Sequence, residues 1–284
     1  MTATSERTSQ SETARPDVGT RIAWVTRTAG KQLVITSLPI LVALALWQVV
    51  AVSGLVPEAF FPGLGAIFGA IGGMAADGTL WTDIGQSLYR LLVGVVIGSA
   101  IGTALGLLMG TRRLAERTLL PLMNFGLAVP GIALIPLAIL WFGLTDTTII
   151  VILVSEVMLV TMLNTWGAVR AVDQRLVDAG RTLGCRGMEM FTRVLLPGSL
   201  GGIIGGYRLG FSRAWRILVA GEMLAGVAGG LGYRVFEARQ YFQADIVYAG
   251  ILVIGIVGLM LERVVLRSLE AATVERWGTL REAR

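Results

Sequence analysis

The stretch LVDAGRTLGCRGMEMFTRVLLP, residues 176–197, is a polar, arginine-bearing segment set between long apolar runs. It reads as a loop that meets a partner. Asp178 and Arg175 give one short helix a polar face, and Gly184 permits the reversed backbone angle or close approach that a tight corner needs. Pro197 has no N–H and a fixed φ, so a new helix is expected to begin there and enter the membrane. The plainer reading is an ordinary charged loop between two membrane helices, and the rest of the chain has to choose between them.

Composition puts the chain in the membrane class. Of its 284 residues 54% are apolar and 15% charged, with a mean hydropathy of +0.72, too apolar for an ordinary soluble domain. There is no histidine and one cysteine, Cys185, which rules out a Cys/His metal site, a Ser-His-Asp triad and an intrachain disulfide. The single lysine, Lys31, does not complete a G-x-x-x-x-G-K-[ST] phosphate loop. The chain is therefore expected to carry no cofactor and no catalytic residues, with any ATP and Mg bound by another polypeptide. A nucleic-acid partner is not expected; membrane lipid is. Residues 1–20 are rich in Ser, Thr and charge and are read as a disordered cytoplasmic tail. Arg21 to Lys31 interleaves Ile22, Trp24 and Val25 with basic residues, and reads equally as a helix along the inner membrane surface or a flexible lead-in.

A bilayer core of about 30 Å needs roughly 20 helical residues. Six runs fit: 33–52, 88–110, 119–144, 148–169, 198–220 and 246–266. The third carries Pro121, Pro130 and Pro136 and is expected to be kinked or partly broken. Val56 to Trp81 is interrupted by Pro57, Pro62 and glycines, and suits a surface or re-entrant helix better than a crossing. Six spans with both ends inside put 18 Arg and Lys residues in cytoplasmic segments against 3 outside, namely Arg90, Arg234 and Arg239. This places the 170–197 loop in the cytoplasm. It divides the chain into a tail, 1–31, a membrane domain, 32–268, and a C-terminal cytoplasmic tail, 269–284.

Within the spans, Gly94, Gly98, Gly102, Gly106 and Gly110 recur every fourth residue, as do Gly198, Gly202, Gly206 and Gly210. Lipid supplies no hydrophobic drive for helix pairing, so such stripes favour close backbone approach. They read first as static packing, and second as surfaces that rock during transport. Charges are more selective, since each costs about 2.5–3.5 kcal/mol at the bilayer centre. Arg208, Arg213 and Arg216 form one broad basic sector, about 60° and 80° apart at 100° per residue. With Glu156 and Glu222 they are the candidates for a translocation path. The alternative is that Arg208 or Arg213 pairs with Glu156 or with helix-end carbonyls and holds the bundle together, while Arg216 snorkels.

The spacing from Asp178, Ala179 and Gly180 through Gly184 to Leu196 and Pro197 resembles the Glu-Ala-Ala signature of ABC importer permeases. Further stretches resemble the nitrate, sulfonate and taurine branch: FFPGLGAIFGAI from Phe60, SLYRLLVGVVIG from Ser87, GLLMGTRRLAERTLLPL from Gly106, IPLAILWFGL from Ile135, and RAWRILVAGEML from Arg213 followed by GGLGYRVFEARQYF. The resemblance covers about Phe60 to Arg267. It implies an all-α polytopic membrane protein with the six-helix, type I, MetI-like permease fold in the bacterial cytoplasmic membrane. It also implies a permease dimer, expected to be of identical chains, bound to a cytoplasmic ABC ATPase dimer and served by an extracytoplasmic substrate-binding protein. Carried over, Asp178, Ala179, Gly180, Gly184, Leu196 and Pro197 are the ATPase-coupling residues, and Glu222 to Gln243 helps gate the path. Asp178 stands where the family has Glu and Gly180 where it has Ala, so the first turn is expected to be less helical. An acid at Glu156 is not expected from the family.

These implications favour an importer permease for a small anion of the sulfonate, taurine or nitrate type. The same machine carrying a pyrimidine vitamin precursor or a flavin is the nearer alternative. An ion-coupled secondary transporter is the more distant one, with Glu156 and Glu222 as its only intramembrane acids of note.

Overall fold

The computed structural model describes residues 38–277, with side chains to residue 264. The readings made for 1–31 lie outside the described residues. The chain divides into a unit that ends at Glu58 and one that begins at Ala59. In the first, α1 covers Leu38–Val52 and exposes most of its apolar side chains. The second is all-α: α2 (Leu64–Ala76), α3 (Thr79–Thr111), α4 (Arg113–Ala128), a 3-10 turn (Gly131–Leu134) running into α5 (Ile135–Phe142), α6 (Asp146–Arg170), α7 (Gln174–Thr182), α8 (Met188–Met190), a π-turn (Phe191–Leu195), α9 (Leu196–Ala225), α10 (Leu231–Gln240) and α11 (Ala244–Trp277).

Among the described residues, three helices are long and apolar enough to cross a membrane: Thr79–Thr111, Asp146–Arg170 and Ala244–Val264. A fourth span exists if α4 and the Gly131–Phe142 arm, bent by 89° at their junction, are taken as one. α9, with 30 residues, is about 45 Å long, enough to cross, but carries three arginines. The 13 residues of α2 reach only about 20 Å, so the Val56 to Trp81 region holds a short helix, as its prolines and glycines predict. Two boundaries differ most from expectation. α3 begins nine residues before Leu88, because Asp77 accepts from both the amide (2.9 Å) and the hydroxyl (2.6 Å) of Thr79 and fixes the entry. Those bonds hold the Asp77 carboxyl below its ordinary range. α11 runs on to Trp277, past Leu266, so part of the expected C-terminal tail is helix.

The third expected span is broken outright. Val129 precedes Pro130 and is held in an extended conformation, ψ 119°, which a residue before proline favours; Pro130 follows with ψ 128°. Two extended residues in succession turn the chain. Pro136 falls in the first turn of α5, where its missing N–H leaves no gap.

α6 lies between two glycine ladders. A Cβ built on Gly94, Gly102, Gly106 or Gly110 of α3 would fall 2.5–2.6 Å from Leu153 Cβ, the Met158 carbonyl oxygen, Thr165 Cβ or Val169 Cβ. On the other side, Gly206 and Gly210 of α9 face Asn164 and Val157 at 2.8 and 3.3 Å by the same measure. Both stripes thus set helix spacing at α6 by the absence of side chains. The core beside them is formed by Leu91, Leu153, Val157, Phe211, Ala214 and Leu218. Gly102→Val is expected to lower stability by roughly 1–3 kcal/mol or more, because the obstacle is backbone. Gly167→Ala, with nothing within 4 Å, should be close to neutral; thermal unfolding of the detergent-purified protein compares the two.

Candidate functional site

The polar stretch that opens the sequence reading is a helical elbow. Asp173 caps α7 by accepting the Arg175 amide at 2.9 Å. The helix ends at Gly184, φ +89°, where Cys185 N–H donates to Gly180 O (2.9 Å) and Gly184 N–H to Arg181 O (3.0 Å). This paired closure needs a left-handed residue, which explains the glycine. After a second corner at Gly187 the chain re-enters helix at Met188.

Two expectations for this loop are corrected. α7 is intact through Asp178 and Gly180 rather than loosened. Gly180 is buried, and a Cβ there would sit 3.1 Å from Val194 Cγ2 and 3.2 Å from Met190 Cε, so the residue serves close packing of α7 on the returning helix. Pro197 does not start a separate helix either. The helix is continuous from Met188, and the Leu196 amide donates five residues back to Phe191 O. That wider π-turn gives the Pro197 ring room where an α-turn would bring it against the carbonyl four residues earlier. The returning arm of the elbow, from Met188, and the membrane helix are therefore one continuous helix.

Asp178 projects from the elbow with its side chain 60% exposed, bonded only locally to Arg181 (3.0 Å) and Gln174 (3.3 Å). Ala179 and Gly184 are exposed; Leu196 and Pro197 are half-buried. Leu176, Leu183 and Met188 are also exposed, Leu183 by 84%. A free surface that mixes three large apolar side chains with charge fits a protein partner.

Along α9, Arg208, Arg213 and Arg216 are all exposed in the single chain, and Arg208 is not a free group. Glu156 of α6 is half-buried at the broken span, its carboxyl group packed against Gly131, where a Cβ would occupy the same space. Sequence reasoning did not connect Glu156 with the break at Pro130.

Glu222 is different. It lies at the far end of α9 from the elbow, fully buried, in a network that includes residues the sequence reading did not select. Arg90, 1% exposed, donates from Nη1 to Glu222 Oε1 and to Gly229 O (both 2.7 Å), and from Nε to Asp146 Oδ1 (2.8 Å). Ser87 donates to Glu222 and accepts from the Leu231 amide, both at 2.9 Å, and the Gly232 amide donates to Glu222 Oε2 at 2.9 Å. Asp83 accepts from the Gly230 amide (3.2 Å) and from Arg234 Nε (2.9 Å). Gly230 has φ +106°, and a Cβ there would meet both Glu222 and Arg90. The network thus pins the 228–232 loop and the start of α10 onto α3 and α9. The signal available in sequence was Arg90 near the start of one apolar run and Glu222 near the end of another, an acid and a base at the same depth.

Comparison with known proteins agrees with this architecture. Residues 94–269 match the family described as binding-protein-dependent transport system inner membrane component. The chain is 33% identical over 214 residues to the putative aliphatic sulfonates transport permease protein SsuC of Escherichia coli K12, covering 75% of this chain and 81% of that one. It is 31% identical over 228 residues to the taurine transport system permease protein TauC of the same organism, covering 78% and 82%. A solved structure of the MetNI methionine ABC transporter in an inward-facing conformation superposes with a TM-score of 0.58 at 20% identity, over 67% of this chain and 96% of that chain.

Proposed function

Because the chain belongs to the family of binding-protein-dependent transport system inner membrane components, we propose that it lines the membrane path of an ATP-driven importer and takes its driving force from a separate cytoplasmic ATPase dimer. The elbow, with Asp178, Ala179, Gly180, Gly184, Leu196 and Pro197, is the transmitting element. The observation that carries this is the unbroken helix that runs from Met188, at the end of the exposed corner, through the π-turn into α9. A push on that corner moves a 30-residue membrane helix as a body. ATP and Mg belong to the partner, since this sequence has no phosphate loop.

The assembly comprises two permease copies, the ATPase pair and an extracytoplasmic binding protein, with both termini of this chain in the cytoplasm. The cargo is a small organic anion of the sulfonate or taurine class, supported by the named relatives and by three arginines on one face of α9. Arg208, Arg213, Arg216 and Glu156 line the path. Glu222 acts on it from behind, through the loop it pins. The test is substrate-dependent ATP hydrolysis by the complex of permease, ATPase and binding protein in proteoliposomes. Neutralising Arg208 and Arg213 together is expected to reduce the stimulation about tenfold or more, the scale of one lost charge-assisted contact. Unchanged stimulation would remove the support for an anionic cargo.

A further inference from the structure

The ends of α3 and α6 and the start of α4 meet at the same end of the bundle as the elbow, and together they carry four arginines. α3 and α6 are in close contact there, since a Cβ on Gly110 would fall 2.6 Å from Val169 Cβ. Arg112 directly follows α3, Arg113 and Arg117 lie in the first turns of α4, and Arg170 is the last residue of α6. Glu116 is the one acid of α4, and Arg170 Nη1 holds its Oε1 at 2.6 Å. With that acid engaged by α6, Arg112, Arg113 and Arg117 are exposed and make no ion pair among the described residues. Arg113 and Arg117 stand one turn apart and about 40° apart around the helix axis. About 60° beyond Arg117 runs an exposed apolar stripe of Leu114, Pro121 and Phe125, Leu114 being 80% exposed. At about 1.5 Å per residue the stripe is about 16 Å long, close to half of a bilayer core of about 30 Å.

We propose that this corner binds an anionic phospholipid, its phosphate on Arg113 and Arg117 and one acyl chain along Leu114, Pro121 and Phe125. Two guanidinium groups one helical turn apart suit the oxygens of a single phosphate, and unpaired arginines at the end of a membrane span attract acidic headgroups. A free phosphate would use the arginines and leave the stripe bare. A stripe as long as one leaflet, starting beside unpaired positive charge, matches a molecule with an anionic head and an apolar tail. The inference needs only that α3 and α6 cross a membrane, and it is independent of the cargo.

The probes are dioctanoyl phosphatidylglycerol and dioctanoyl phosphatidylcholine, which have equal tails and differ in net charge. Their binding to the full-length chain in detergent is followed by native mass spectrometry. The wild type is expected to bind the phosphatidylglycerol at least about tenfold more tightly. Arg113→Gln with Arg117→Gln is expected to bring the two lipids within about twofold. Both side chains are exposed and outside the ion pairs, so thermal unfolding of this variant without added lipid should match the wild type. Leu114→Gln, which keeps the charges, should weaken both lipids. Arg239→Gln, at an exposed arginine of α10, should leave the preference in place. Inorganic phosphate at equal concentration should displace neither lipid. Equal binding of the two lipids by wild type, binding of neither, a preference that survives the double substitution or is lost in Arg239→Gln, or displacement by phosphate overturns the proposal. So does loss of bound phosphatidylglycerol on adding the ATPase, which would make the corner a protein contact.

Discussion

Glu222→Ala is expected to destabilise the protein by about 3–5 kcal/mol, the largest single effect foreseen for this chain. The substitution leaves the Arg90 guanidinium buried, with only the edge-lying Asp146 carboxylate to balance it, and strips two partners from Ser87 and the Gly232 amide. An uncompensated buried charge costs more than the pair ever contributes. The paired variant Arg90→Leu with Glu222→Leu should consequently be more stable than Glu222→Ala alone, although it has lost more hydrogen bonds. Denaturation in detergent, followed by circular dichroism for both variants, measures the difference. If the double variant were the weaker of the two, the network would owe its stability to its hydrogen bonds rather than to charge balance. The same variants carry a functional expectation. The 228–232 loop is tied down by these groups, so the double variant should fold, and the ATPase assembled with it should hydrolyse ATP without waiting for substrate.

Asp178→Lys is expected to leave insertion and folding intact while reducing uptake at least about tenfold relative to ATP hydrolysis. Asp178 bonds only to its own helix, through Arg181 and Gln174, so its removal leaves the elbow's framework in place. A lysine would sit beside Arg181 and invert the charge offered to the partner, a juxtaposition that costs an interface up to several kcal/mol. Gly180→Leu reaches the same end from inside. Its side chain would press on Val194 and Met190 and tilt α7 away from the returning helix. Uptake and ATP hydrolysis, measured together in vesicles, separate loss of coupling from loss of protein.

Much of this architecture was readable because membrane helices obey few rules. Length and hydropathy located α3, α6 and α11, and the four-residue glycine repeats marked the faces that grip α6. The prolines of the third run marked a break. Its 89° angle depended on consecutive extended residues at Val129 and Pro130, which spacing alone does not fix. In the elbow, Gly184 was legible because a left-handed corner favours glycine. Gly180 was misread because helix propensity is a weak prior beside a tertiary contact, here with Val194 and Met190. Pro197 was misread because a π-turn can carry a helix into a proline, and no local pattern announces one. The Arg90–Glu222 pair joins residues 132 apart in sequence, so only the fold brings it together.

The sole cysteine offers the most direct check on the central claim, that residues 174–197 face the cytoplasm and bear on an ATPase. Cys185 is partly exposed in the corner between α7 and α8. Its labelling by a membrane-impermeant maleimide can be followed in right-side-out and inverted vesicles, with and without the ATPase. Labelling confined to inverted vesicles, and suppressed when the ATPase is bound, is the predicted result. Labelling from the outside, or labelling indifferent to the ATPase, contradicts it.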